Sequence, residues 1–170
     1  MPVSTSNSLN NSKFMPCLLT RLTDEHPFSG VDTDYSLSFT LAQLKQDILT
    51  NLNMLLNSQT APAETRYLRG NYPGVARSCY HFGIDSCTGL STSSDRPRII
   101  AENVRRAIAE FEPRLVPDSI QVRAEHSHTA ADRTAIHLNI SSRLAVHPMT
   151  EDIYFRMRVD METGEITFTP

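Results

Sequence analysis

An acid and a base separated by one proline, Glu112-Pro113-Arg114 in "RAIAEFEPRLVP", form the most pointed chemical arrangement in the sequence. They close an apolar-periodic run, so Glu112 falls at the end of a helix. There, orphan carbonyls and the negative pole of the helix dipole disfavour a carboxylate by about 0.3–1 kcal/mol. Arg114 can offset part of this by pairing with Glu112 or with those carbonyls. One reading is a stop signal, in which proline ends the helix and two solvated charges tolerate each other. A second makes the triplet a rigid presentation device. The fixed φ of Pro113 holds both charges outward, and the planar fork of Arg114 can grip a carboxylate on another protein at two points. A third makes Glu112 the general acid of a sugar-cleaving enzyme. That chemistry needs a second carboxylate about 5–9.5 Å away, and Asp85, Asp95 and Asp118 are no better placed than other surface acids.

Other residue types with chemical potential are less organised. His126 and His128 in "AEHSH" share one face of a strand, but a metal site needs a third or fourth ligand. Cys79, His81 and Cys87 fit no standard zinc spacing. Neither metal nor cofactor is expected. Ser94 and Asp95 in "GLSTSSD" read as helix caps, and no nucleophile elbow or glycine-rich phosphate loop is present. The stretch "TRYLRGNYPGVAR" interleaves arginines with tyrosines, as a nucleic-acid strip would. A net charge of −3 and the lack of a matching module favour a protein-facing loop instead. Three cysteines without framework spacing read as reduced thiols of a cytoplasmic protein.

The elements that position these residues follow from periodicity. A polar tail over residues 1–14 is expected to be disordered, and one α+β domain fills 15–170. The tail lacks the apolar segment of an export signal, and no apolar run approaches the ~20 residues of a membrane span. "PCLLTRLTDEHP" predicts a short helix with Leu18, Leu19 and Leu22 on one side, and 32–38 reads as loop. Leu41, Leu44, Ile48, Leu52 and Leu55 predict an amphipathic helix to about Asn57, its stripe facing the core. Residues 59–89 read as a long irregular region. Ser93, Ser94 and Asp95 then announce a helix with Ile100, Val104, Ala107, Ile108 and Phe111 on its apolar face. On another side Arg98, Glu102, Arg106 and Glu110 make an i,i+4 ladder, read as a solvated face contributing a few tenths of a kcal/mol per pair.

After Pro117 the period becomes two. Ile120, Val122 and Ala124 lead into Ile136, Leu138, Ile140, Leu144 and Val146, with His137, Asn139, Ser141 and Arg143 opposite. Ile153, Phe155, Met157 and Val159 repeat the pattern, and "DMETGE" reads as a hairpin loop into Ile166 and Phe168. The expected fold is α+β, with N-terminal helices and one central helix packed on an antiparallel β-meander of about four strands. The short last strand offers a sheet edge for β-augmentation by a partner.

"NVRRAIAEFEPRL" resembles the signature of the TssE family, the baseplate subunit of type VI secretion systems, related to the "lysozyme-like" wedge protein of contractile phage tails. "CLLTRLTDEHP", "LKQDILTNLNMLLNSQ", "HFGIDSCTGLSTSSD" and the closing strands agree in order, so the resemblance runs from about Pro16 to Phe168. It implies a non-enzymatic structural subunit in the cytoplasm, within a baseplate docked to the inner-membrane complex. Implied partners are TssF, TssG and TssK, with the sheath proteins TssB and TssC, whose polymerisation it helps to start. Neither nucleic acid nor direct membrane insertion is implied. The family's Glu-Pro-Arg element falls on Glu112, Pro113 and Arg114, which the resemblance makes protein-binding residues. The alternative is a peptidoglycan hydrolase with Glu112 as acid. Two segments depart from the family pattern. The loop Phe82-Gly83-Ile84-Asp85 lacks the usual proline, and "AETRYLRGNYPGVARSCYH" matches poorly, so the resemblance implies no contacts at either.

Overall fold

The computed structural model describes residues 14–23, 28, 39–86, 95–125, 135–145 and 151–169. Outside them lie nearly all of the expected tail, the loop at 32–38, Cys87, Ser93, Ser94, His126, His128 and Val146. The chain divides into two compact units, Met1–Asn51 and Leu52–Pro170.

In the first unit Phe14 and Phe39 form an isolated antiparallel bridge. Helix α1 (Leu18–Leu22) starts at Cys17, whose sulfur accepts a bond from the Thr20 amide at 3.4 Å. The Thr20 hydroxyl donates to Asp47, a buried carboxylate. Leu18, Leu19 and Leu22 all remain exposed. Helix α2 (Leu41–Asn57) opens with a capping box. The Gln43 amide donates to the Thr40 hydroxyl (3.3 Å) while the Gln43 side chain accepts from the Thr40 amide (2.9 Å), satisfying two orphan groups reciprocally. As its period predicts, Leu44, Ile48, Leu52 and Leu55 are buried and the helix ends at Asn57.

The second unit carries the sheet, a four-stranded antiparallel meander in the order β3 (Gln121–Glu125), β4 (Ala135–Arg143), β5 (Asp152–Asp160), β6 (Ile166–Thr169). Its inner face presents Leu138, Ile140, Ile153, Met157, Val159 and Ile166, all buried. Ser142 shares that face and is also buried; its hydroxyl is satisfied by Ser119 at 3.0 Å. Helix α5 (Arg96–Phe111) lies against β3 and buries Ile100, Val104, Ala107 and Ile108. The α+β architecture is the one the periodicity predicts. The β5–β6 hairpin is set by Asp160, whose carboxylate accepts from the amides of Glu162 (2.9 Å) and Thr163 (3.1 Å).

Strand β6 is an edge strand, yet its first residue is not an open one. Asn57 at the end of α2 donates its side-chain amide to the Ile166 carbonyl and accepts from the Ile166 N–H, both at 2.9 Å. That amide stands where a neighbouring strand would bond. In an antiparallel ladder alternate residues face outward, so an incoming strand at this edge finds Phe168 but not Ile166.

Residues 59–86 are not irregular. Strand β1 (Gln59–Thr60) pairs in parallel with β2 (Ile84–Asp85), and between them run α3 (Pro62–Asn71), α4 (Pro73–Ala76) and a 3-10 turn over Cys79–His81. Pro62 and Pro73 each sit in the first helical turn, where a missing N–H costs nothing. Two-residue strands and a four-residue helix are too short to show any period, and the ten-residue α3 buries only Thr65 and Leu68, so it carries no apolar stripe. Gly83 closes the excursion with φ +132, and a Cβ there would lie 2.3 Å from the Ser58 carbonyl oxygen. Only glycine lets these backbones meet, bringing the Ile84 amide to 2.9 Å from that same oxygen.

Candidate functional site

Helix α5 ends where proline dictates. Phe111 is its last residue, and Glu112, the residue before Pro113, adopts φ −117, ψ 83, outside the helical region. The Glu112 amide still donates to the Ile108 carbonyl at 2.9 Å. The chain then turns, with the Leu115 amide on the Glu112 carbonyl (3.2 Å), and joins the end of the sheet. Leu115 bridges Leu144; the Val116 amide donates to the Arg143 carbonyl (2.9 Å) and the Ala145 amide to the Arg114 carbonyl (2.7 Å). The triplet is thus a stitched joint between α5 and β4.

Its charges do not both project outward. Glu112 is 4% exposed. Arg114 grips it with Nε on Oε1 (2.7 Å) and Nη2 on Oε2 (2.6 Å), and the Arg114 amide adds a bond to Oε1 (3.2 Å). This corrects both the outward-facing and the solvated-charge expectations. The misfit of a carboxylate at the negative helix end is relieved by the arginine two residues on, through a bidentate pair. What reaches the surface is Pro113 and about a fifth of the Arg114 side chain, 21%.

The i,i+4 ladder on α5 is likewise not built as spaced. Arg106 pairs with Asp85 of β2 at 3.0 Å, and Glu110 accepts from both terminal guanidinium nitrogens of Arg69 from α3, at 2.9 and 2.7 Å. Glu102 turns to Arg105 at i+3 instead (2.7 Å). Glu110's hydrogen bonds push the Arg69 guanidinium above its already high value, so it stays charged despite being half-buried. Asp85 also accepts from the Thr65 hydroxyl and, at 3.4 Å, from Thr60. The buried His81 completes the cluster, its Nε2 2.9 Å from the Thr65 hydroxyl oxygen. These polar side chains bind the 59–86 excursion to α5. Sequence reasoning missed Thr65, Arg69 and His81 as structural partners, and weighed Asp85 only as a carboxylate partner of Glu112 and as part of the loop "FGID".

The remaining candidates separate. Cys79 is an exposed free thiol while His81 is buried, and among the described residues no group of three His, Cys, Asp or Glu is disposed to hold a metal. Asp95 precedes α5 without a side-chain capping bond and sits 3.9 Å from Arg98, so the expected cap is not made there. Asp118 is exposed in a 3-10 turn over Pro117–Ser119.

The stretch from α2 to just past β4 therefore holds both the joint and the polar web. A family profile described as baseplate wedge protein gp25 matches residues 42–149, more than half of the chain. The chain belongs to that family. The gp25-family match includes Glu112, Pro113 and Arg114 and ends before β5. The coarse role follows: a structural component of a phage-tail-like baseplate, with other baseplate components as neighbours. No curated protein and no solved structure matches the chain. Among the described residues no helix is long and apolar enough to cross a membrane.

Proposed function

We propose that this gp25-family protein is the TssE-type wedge subunit of a type VI secretion baseplate. In this reading it works in the cytoplasm, in a baseplate docked to the inner-membrane complex. It binds TssF, TssG and TssK and helps to start the TssB/TssC sheath. The observation that carries the reading is the stitched joint at Glu112–Arg114, inside the family match. A bidentate pair and a proline fix the backbone there, so Pro113 and the exposed part of Arg114 are offered to a neighbour with little ordering cost. We further propose that the protein is not a hydrolase. Both Glu112 oxygens are occupied by Arg114, so this carboxyl is not free to protonate a sugar bond.

Co-expression with TssF and TssG tests the assembly reading. The wild type should co-purify as a complex, and Arg114→Lys, which keeps the charge but loses the fork, should weaken it while remaining folded. Recovery of a folded wild-type monomer that captures neither protein would refute it. Release of muropeptides from peptidoglycan, abolished by Glu112→Gln, would overturn the non-enzymatic reading.

A further inference from the structure

Aromatic side chains stand in solvent between Tyr67 and Phe82. Tyr67, Tyr72 and Tyr80 are 57%, 52% and 75% exposed. The rings of Tyr67 and Tyr72 lie 6.0 Å apart at 56°, one platform bridging α3 and the start of α4. Phe82, 38% exposed, packs edge-on against Phe111 at 5.4 Å, the helical residue directly before the joint. Grouped exposed rings mark interaction surfaces, whereas single ones do not.

Charge sharpens this. Arg66 and Arg77 are exposed within the strip, and neither forms an ion pair with a described residue. Glu64 is the one acid between Pro62 and His81. The strip is therefore positive on a chain of net charge −3. Tyrosine and arginine are the residue types that dominate binding hot spots, and tyrosine gives large contact area at low entropic cost. The strip is also held in place beforehand, because Arg69–Glu110 and Asp85–Arg106 fasten its supporting segment to α5.

We propose that this tyrosine–arginine strip is a docking surface for an acidic, leucine-bearing segment of a partner protein. The partner's carboxylates meet Arg66 and Arg77, and its apolar side chains lie across the rings of Tyr67, Tyr72 and Tyr80. Two unpaired arginines match a few carboxylates better than a nucleic-acid backbone, whose binding rests on neutralising many phosphates. The proposal stands apart from the secretion-system assignment, since it requires only this surface.

Fluorescence anisotropy on the full chain tests it with three labelled probes: a peptide alternating Glu and Leu, the same peptide with Lys for Glu, and an oligothymidine of similar length. The acidic peptide should bind tightest. Its affinity should fall about tenfold or more in Arg66→Glu/Arg77→Glu and in Tyr67→Ala/Tyr80→Ala. It should also weaken as salt rises from about 50 to about 300 mM. Unchanged circular dichroism establishes that each variant is folded. If charge reversal unfolds the chain, Arg66→Gln/Arg77→Gln replaces it, with a smaller loss expected. Equal binding of the acidic and lysine peptides, tighter binding of the oligonucleotide, or unaltered affinity in both folded variants would overturn the proposal.

Discussion

The protein pairs arginine with carboxylate in two contrasting ways. At the α5–β4 joint, Arg114 and Glu112 are two residues apart and make their bidentate pair across a single proline. In the excursion over 59–86, Arg69 reaches Glu110 forty-one positions away, and Asp85 reaches Arg106 across twenty-one. A local pair costs little chain entropy to close, so it can form as soon as the helix ends. The distant pairs exist only once the excursion has docked, and they add to the burial of Leu68, Ala76 and Ile84 in holding it. The joint is thus a rigid fixture, while the excursion is a part fastened on by a few polar bolts.

Five substitutions probe that contrast. The largest effect is expected at the seam of the excursion. Gly83→Ala should cost about 3 kcal/mol or more in urea unfolding, because a positive φ and a backbone clash with Ser58 coincide. A loss below about 1 kcal/mol would mean that the seam yields. Next comes the joint, where the two partners should differ. Arg114→Ala leaves a buried carboxylate unpaired at a helix C-terminus and should cost about 3 kcal/mol. Glu112→Ala leaves an arginine that can swing into water, and should cost about 1 kcal/mol. Equal losses would contradict the geometry.

Asp85→Asn should then cost about 1–2 kcal/mol by weakening the Arg106 and Thr65 contacts. Its distinguishing mark is regional: amide exchange in α3 and α4 should accelerate while the sheet keeps its protection. Uniform acceleration would mean that the excursion and the sheet open together. The smallest effect belongs to the solvated pair on α5. Arg105→Ala should cost only a few tenths of a kcal/mol at neutral pH. The Arg105 hydrogen bonds hold the Glu102 carboxyl below its usual range. Its stabilisation is therefore present above the ordinary carboxylate value and is lost as pH falls through the depressed one. The difference between wild type and variant should accordingly begin to shrink as pH falls below about 4 and vanish only beneath the depressed value.

Much of this fold is legible in the sequence because its long elements repeat. The stripe on α2, the apolar face of α5 and the alternation through β4 and β5 announced themselves over nine residues or more. The end of α5 at Phe111 followed from Pro113, and pairing of Arg114 with Glu112 was one of the outcomes open to that triplet. Its burial was not legible, since nothing in three residues says which way a carboxylate faces. The ladder on α5 misled for a related reason. A spacing of four permits a pair within the helix, but Asp85 and Arg69 offered better-held partners from segments that carry no periodic signal. Glycine at 83 gave a turn cue without revealing Ser58, the backbone it must admit.

The Asn57 clip at Ile166 bears on life before assembly. An exposed last strand invites identical chains to stack edge to edge into insoluble fibres. Here the first rung of that stack is already taken by the subunit's own amide, so each copy carries a stopper against self-polymerisation while it waits to be built in.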